Sequence, residues 1–342
     1  MLKLKRWIAL GLALVATLLL LCACSPKDGE ENEESTVYYT VTFDANGGSA
    51  VESRKVAEGT KVSEPTAPTY EGYVFDCWKC DGQEWLFDYD TVKGDMTLTA
   101  SWIKAESLFG YAVGENQTAI ITELKQRTRT IVVPTQIAGY PVVGIGESVF
   151  ENLPTVEEME GSSDGVGEIV LPETVTTVGK NAFRDSDGIT ITVQGALTDI
   201  GEGAFYNCDG LSKITLGEGL QKIAYEAFSG CLGLKNVQLP QSVALIEENA
   251  FEGCAELVSV MLYGTVGAVE NSAFDDCDKL VLLYFIGAEE QLDTLLDENT
   301  ADLNDAFLEG NWYLYAEQKP AAETGYKGYW YRDDKGNIRI WQ

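Results

Sequence analysis

This chain of 342 residues contains no histidine, so its main candidates for metal-binding or acid–base chemistry are eight cysteines and 54 acidic residues. Without histidine, Ser-His-Asp and Cys-His catalytic systems and histidine-ligated metal sites are excluded. No Gly-x-x-x-x-Gly-Lys phosphate-binding loop occurs. Carboxylate pairs suited to glycoside hydrolysis can be chosen freely from so many acids, so no single pair is informative. We therefore expect no enzymatic activity and no cofactor.

Acidic clusters and one cysteine pair offer the remaining chemistry. The acidic loops Asp185–Asp187 and Asp275–Asp278 could in principle bind calcium. Because no complete EF-hand pattern occurs, we predict no metal site. Cys77 and Cys80 form a Cys-x-x-Cys motif that lacks the second ligand pair of a zinc site. Residues three apart on a strand face opposite ways, which disfavours a disulfide unless the chain turns at Lys79. We interpret both thiols as structural or incidental.

The other thiols follow a repeat. Five Ala-Phe pairs succeed one another at steps of 22, 23, 23 and 23 residues, and a cysteine stands three residues after each of the last four phenylalanines. A fixed period of this length predicts a solenoid of stacked units. Stacked thiols would point beside one another at about 4.8 Å, which is poor disulfide geometry, so we expect free, buried cysteines and a core ladder of rings. The expected ladder residues are Phe205, Phe228, Phe251 and Phe274 with Cys208, Cys231, Cys254 and Cys277, and Phe183 belongs to the first Ala-Phe pair.

Each repeat also contains a short strand and a return face. In the repeat from Leu211 to Cys231, Ile214 and Leu216 alternate, and Ile223 begins the face that leads to the Ala-Phe pair. This pattern resembles the BspA-like (treponemal) subclass of leucine-rich repeats over roughly residues 108–290. The resemblance implies a leucine-rich-repeat solenoid, which we place at residues 104–310. We interpret the acidic Gly/Ser insertion at residues 157–167 as a surface loop.

Residues 37–103 have the alternation and turns of a small β domain. The opening Val41-Thr-Phe-Asp-Ala-Asn-Gly-Gly48 and the closing Trp102 resemble a Listeria–Bacteroides repeat. The resemblance implies a β-grasp-like module that acts as a spacer or a weak binder. Trp78 and Trp102 are large enough to form the core of so short a domain, and the alternative is a sugar-stacking platform.

The amino terminus reads as a targeting segment. Lys3, Lys5 and Arg6 precede an apolar run, and Leu21-Cys-Ala-Cys24 resembles a bacterial lipoprotein cleavage box. The resemblance implies that residues 1–23 form a signal peptide, that Cys24 carries the lipid, and that residues 24–36 are an acidic tether. A retained transmembrane helix is the alternative, but the apolar run is shorter than the ~20 residues that a span needs.

The net charge limits the partners. Residues 1–23 contain three basic and no acidic residues, so a processed chain would carry 21 basic and 54 acidic residues, a net charge of −33. Such a charge repels phosphate backbones, and we expect no binding to nucleic acid.

After Ile286 the repeat pattern ends. A short helix is predicted over residues 288–299, and residues 311–342 are predicted to form an aromatic cap with three strands. On the last repeats, the outward positions become apolar, and we predict a partner contact at Met261, Tyr263, Leu282 and Tyr284. The alternative is that the terminal helix or the aromatic cap covers this patch.

These features predict a mostly β fold with short helices, a leucine-rich-repeat solenoid preceded by a small β-grasp-like domain. The BspA-like resemblance implies adhesion to an extracellular protein or glycan, and the cleavage box implies a lipid anchor on the extracytoplasmic face of a bacterial membrane. We expect the protein to be a monomer. The competing prediction is a structural or glycan-binding lipoprotein of the envelope.

Overall fold

The computed structural model describes residues 36–114, 116–156, 158, 165–298, 305–320 and 326–341. The predicted signal peptide, the predicted tether up to residue 35 and most of the acidic insertion lie outside these residues. The chain from Tyr38 to Gln342 forms one compact unit. In the described residues, no helix has the length and apolar character needed to span a membrane.

The first domain is a mixed five-stranded sheet with the order β2-β1-β5-β3-β4, in which only the central pair β1 and β5 is parallel. Val41, Phe43, Trp78 and Leu98 form its core, so Trp78 is a core residue and not part of a platform. The β-grasp likeness stays a prediction. The strands are β1 (Tyr38–Asp44), β2 (Arg54–Ala57), β3 (Tyr73–Cys80), β4 (Gln83–Glu84) and β5 (Met96–Lys104).

The two ends of the repeat motif in this domain contact each other. The Trp102 indole N–H donates to the Ala45 carbonyl at 3.0 Å. Gly48 lies so close to the ring that a Cβ on it would sit 2.5 Å from Trp102 Cζ2, and the left-handed φ of Gly47 (97°) also favours glycine. The Asn-Gly-Gly turn is therefore shaped to receive the closing tryptophan.

The solenoid follows without a break in the core. Its first elements are α1 (Ala105–Leu108) and β6 (Phe109–Val113), and Val74 of the first sheet packs into the same hydrophobic cluster as Leu108. Two rows of short strands then line the two sides of the stack, and they are parallel apart from the antiparallel pairing of Gln136–Ile137 with Tyr140–Ile145. The strands are β7 (Ala119–Leu124), β8 (Thr130–Val132), β9 (Gln136–Ile137), β10 (Tyr140–Ile145), β11 (Glu168–Leu171), β12 (Thr177–Val178), β13 (Thr190–Val193), β14 (Ala196–Leu197), β15 (Asp199–Ile200), β16 (Thr215–Leu216), β17 (Lys222–Ile223), β18 (Asn236–Gln238), β19 (Leu245–Ile246), β20 (Ser259–Tyr263), β21 (Ala268–Val269) and β22 (Leu282–Ile286).

The predicted ladder of rings runs through the middle of the stack. Neighbouring rings stack with centroids 5.1–5.5 Å apart, and all of them are fully buried. The backbone N–H of each ladder phenylalanine from Phe150 to Phe251 donates to the alanine carbonyl of the next coil at 2.7–2.9 Å. The ladder extends beyond the four predicted members at both ends, to Phe183 and Phe150 on one side and to Phe307 on the other.

The cysteines complete the same ladder. The Sγ atoms of Cys208, Cys231, Cys254 and Cys277 lie 3.0–3.2 Å from the carbonyl oxygens of Phe183, Phe205, Phe228 and Phe251, each in the preceding coil. Ser186, at the matching position, donates to the Phe150 carbonyl at 2.8 Å. Burial raises the pKa of the Cys231 thiol to about 12, so the thiol keeps the proton that it donates. All four cysteines are free and buried.

We expect Cys231→Ala to lower the free energy of unfolding by about 1–3 kcal/mol, because the buried Phe205 carbonyl would lose its donor. Cys231→Ser should cost less, since a hydroxyl can donate to the same carbonyl, as Ser186 does. Urea unfolding of the two variants measures the difference. Equal losses in both variants would show that the hydrogen bond contributes nothing.

The chain ends by extending one row of strands. The helix α2 (Glu289–Glu298) agrees with the predicted helix and buries Leu292 and Leu295. A helical turn, α3 (Asp305–Leu308), places Phe307 on the ring ladder. The strands β23 (Asn311–Tyr315), β24 (Gly328–Arg332) and β25 (Ile338–Ile340) then continue the sheet β18-β20-β22. Because β23 pairs with β22 in parallel register, the sheet runs unbroken across the predicted boundary at residue 310.

Candidate contact face

The predicted contact residues lie on the outer face of the sheet β18-β20-β22-β23-β24-β25. In its parallel register Met261 stands beside Tyr284, and Tyr284 stands beside Tyr313. Since side chains alternate along a strand, these positions share the face that points away from the ring ladder.

Part of this predicted contact patch is buried under other side chains. The exposed fractions of Met261 and Tyr284 are only 3% and 7%, and both pack against Trp330 in a separate hydrophobic cluster. The expectation that these two side chains form an open contact face is therefore corrected, and the alternative of an aromatic cap describes their position. Tyr263 and Leu282 stay half-buried and reach the surface.

Trp330, on β24, is the residue that covers Met261 and Tyr284. Its indole meets the Tyr315 ring edge-on at 4.9 Å and the Tyr284 ring at 5.6 Å, and its N–H lies 3.4 Å from the Phe285 carbonyl oxygen. The Arg332 guanidinium lies 5.7 Å from the Trp330 ring centroid and 3.5 Å from the Met261 sulfur. Burial raises the pKa of the Tyr284 phenol, which therefore stays neutral at physiological pH.

A half-buried rim surrounds the covered residues. We call it the tyrosine rim, and it consists of Tyr263, Leu282, Ile286, Tyr313 and Tyr315. Sequence reasoning missed the last two residues as surface positions. The signal was the alternation in Trp312-Tyr-Leu-Tyr315, because the buried Trp312 and Leu314 fix the other two side chains on the outer face.

The same face is polar on earlier coils. Lys213, Thr215, Asn236 and Gln238 are exposed, as their alternation predicts. Ser259 donates to the Asn236 side-chain oxygen at 2.7 Å and connects the polar part to the rim. The face therefore changes from hydrogen-bonding groups to aromatic groups along the stack.

The calcium and reactive-thiol alternatives that the sequence left open have little support in the geometry of the described residues. No group of three or more cysteine or acidic side chains that could hold a metal ion occurs among the described residues. Asp187 and Asp209 interact directly, and the hydrogen bond between them raises the pKa of Asp187. Cys77 and Cys80 are half-buried, free thiols on β3, and burial raises the pKa of Cys77 to about 11, which disfavours the reactive thiolate.

Comparison with known families identifies both repeat regions. Residues 145–281 match the BspA type leucine rich repeat region in six copies. Residues 39–101 match the Listeria-Bacteroides repeat domain. The solenoid carries BspA-type leucine-rich repeats. Both families were predicted from the sequence, and the tyrosine rim begins on the last BspA-type repeats.

Individual relatives share segments of the chain. A putative Gly-rich membrane protein of Evansella cellulosilytica is 37% identical over 99 residues, which is 26% of this chain and 12% of the relative. Internalin H of Listeria monocytogenes is 37% identical over 81 residues, 22% of this chain and 14% of the relative. The chain thus matches only about an eighth of the length of these curated relatives.

Two solved leucine-rich-repeat structures are also similar. The leucine-rich-repeat protein of T. pallidum is 30% identical over 53% of this chain and 83% of its own, with a TM-score of 0.45. A leucine-rich cell surface protein from Faecalibacterium prausnitzii is 28% identical over 52% of this chain and 53% of its own, with a TM-score of 0.40.

Proposed function

We propose that this protein is a non-catalytic, cell-surface binding protein that presents the outer sheet face of its BspA-type repeats to an extracellular protein. The observation that carries the proposal is the tyrosine rim, a set of half-exposed aromatic and aliphatic side chains on a rigid sheet. Tyrosine supplies a large contact area at low entropic cost and is enriched in binding hot spots. Surface and membrane proteins among the relatives support the location.

The rigidity of the face favours binding over a purely structural role. Tyr313 and Tyr315 are anchored through β23, which pairs with β22 and β24 on its two sides. Pre-ordered side chains lose little freedom when a partner binds. The adjacent amides of Asn236 and Gln238 add hydrogen-bonding groups at the edge of the apolar area, which is the usual arrangement of a core and a polar rim.

Binding is tested with residues 36–342, which contain the whole compact unit from Tyr38 to Gln342. We expect a ligand found on an array of extracellular proteins to bind Tyr263→Ser and Tyr313→Ser at least about tenfold more weakly, with unchanged melting temperatures. Tyr225→Ser is the matched control, because this exposed tyrosine follows β17 in the other strand row. Equal affinity of all variants would refute the contact face.

We propose that the protein is anchored by a lipid on Cys24, which would make it a lipoprotein of the extracytoplasmic membrane face, and that it is a monomer. In a bacterial host fed an alkyne fatty acid, we expect Cys24→Ala to abolish labelling of the protein. Cys22→Ala is the matched control and should keep the label. Labelling that survives Cys24→Ala would contradict this attachment site.

The second candidate function is a glycan-binding lipoprotein of the envelope. One observation favours it, an aromatic groove on the first domain that is lined by Tyr70, Tyr73 and Trp102.

A further inference from the structure

We propose that the first domain binds a neutral oligosaccharide in a groove lined by β5 and by the turn before β3. This site lies outside the tyrosine rim and does not depend on the function proposed for that rim. The groove measures about 760 Å³, within the ~300–1,000 Å³ typical of small-molecule sites. Its side chains divide into an aromatic wall and a row of hydroxyl groups, formed by Tyr70, Tyr73, Trp102, Thr97, Thr99 and Ser101.

The aromatic wall is fixed before any ligand arrives. The rings of Tyr70 and Tyr73 stack at 4.6 Å and 8°, and Tyr70 meets Trp102 edge-on at 5.4 Å. A tight turn supports the stack, because the Tyr73 N–H donates to the Tyr70 carbonyl at 3.0 Å and Gly72 has a φ of 75°. Tyr70 is nevertheless 38% exposed. Rings held in this way can receive the aliphatic C–H face of a sugar at low entropic cost.

The hydroxyl row comes from one strand. Thr97, Thr99 and Ser101 alternate along β5 with the buried Leu98 and Ala100, so the three hydroxyls point away from the core on the outer face. Together with the two phenols of the wall they supply donors and acceptors beside an apolar surface. A pyranose ring presents the same combination of hydroxyl edges and an apolar face.

The charges of the groove favour an uncharged ligand. Its basic group is Lys79, whose ammonium donates to the Ser101 hydroxyl at 2.8 Å and lies 3.8 Å from the Asp76 carboxylate. Asp81 contributes the opposite charge within the groove. With the net charge of −30 over the whole chain, an anionic polymer would be repelled. A neutral sugar meets no such cost.

The test is calorimetric titration of the 36–342 protein with neutral oligosaccharides of β-1,4-linked glucose, N-acetylglucosamine, mannose or xylose. We expect one of the four to bind with a Kd of about 1 mM or tighter and to change tryptophan fluorescence through Trp102. Tyr73→Ala and Thr99→Val should weaken that binding at least about tenfold. Thr99→Val removes a hydroxyl with little change in shape, so it separates binding from folding.

Tyr89→Ala is the control, since this tyrosine is highly exposed and lies outside the groove. Its affinity should equal that of the unsubstituted protein. Absence of binding by all four sugars at about 1 mM would overturn the proposal, and so would groove variants that bind the sugar as tightly as the unsubstituted protein does. Saturable binding of an uncharged peptide that is lost in Thr99→Val, without sugar binding, would also overturn it. None of these variants alters the tyrosine rim, so failure here leaves the protein-contact proposal intact.

Discussion

Phe228→Ala is expected to lower the free energy of unfolding by about 3–5 kcal/mol, the cost of a large cavity in a packed core. The Phe228 ring is fully buried between the rings of Phe205 and Phe251, at centroid distances of 5.5 and 5.3 Å. The coils on either side cannot close the gap, because backbone hydrogen bonds of 2.9 Å from Phe205 to Ala227 and from Phe228 to Ala250 fix their spacing. Since each coil contacts only its neighbours, the loss should also divide the unfolding transition into two.

Urea unfolding followed by circular dichroism measures both effects. Leu232→Ala is the matched control in the same repeat, because Leu232 is 46% exposed and its substitution should cost less than about 0.5 kcal/mol. If Phe228→Ala cost no more than this control, the ring ladder would not be the support of the solenoid.

Trp330→Ala should loosen the carboxyl-terminal part of the sheet by about 3–5 kcal/mol. The substitution removes a fully buried indole, uncovers Met261 and Tyr284, and leaves the Phe285 carbonyl without its indole donor. Hydrogen exchange should therefore become faster in β22, β23 and β24, while β1 and β5 of the first domain keep their protection.

Ile340→Ala is the control for this prediction, since Ile340 pairs with Trp330 across β24 and β25 but is 41% exposed. Unchanged hydrogen-exchange rates in Trp330→Ala would mean that the Trp330 indole does not stabilise the sheet. The same variant also tests the contact face. Tighter binding of a protein ligand by Trp330→Ala would show that Met261 and Tyr284, and not the tyrosine rim, are the preferred contact.

Periodicity predicted the parts of the fold that repeat. The 22- or 23-residue steps placed five rings on one line, and the apolar spacing of Leu292 and Leu295 placed the following helix. Period and alternation are local properties of the chain, so they report which side of a strand faces inward. They also predicted the exposure of Asn236 and Gln238 on the outer face.

What the sequence could not predict depends on contacts between distant segments. Alternation put Met261 and Tyr284 on the outer face, but the indole that covers them lies 69 and 46 residues further along the chain. Phe307 also escaped the pattern, although Ala306 precedes it, because 33 residues separate it from Phe274. The groove on the first domain combines Tyr70 with residues of β5, and only the folded sheet brings them together.

Two steps of the ring ladder are ten residues longer than the usual 23. Phe150 to Phe183 and Phe274 to Phe307 each span 33 residues, yet these rings stack at 5.1 and 5.2 Å like the others. In the first step, Thr155 and Val166 pair as an isolated bridge and close the neck of the insertion. The coils therefore accept guest segments without losing alignment. The scaffold already tolerates extra residues between Thr155 and Val166. This position is therefore suited to the insertion of an epitope, a fluorophore or a second binding loop.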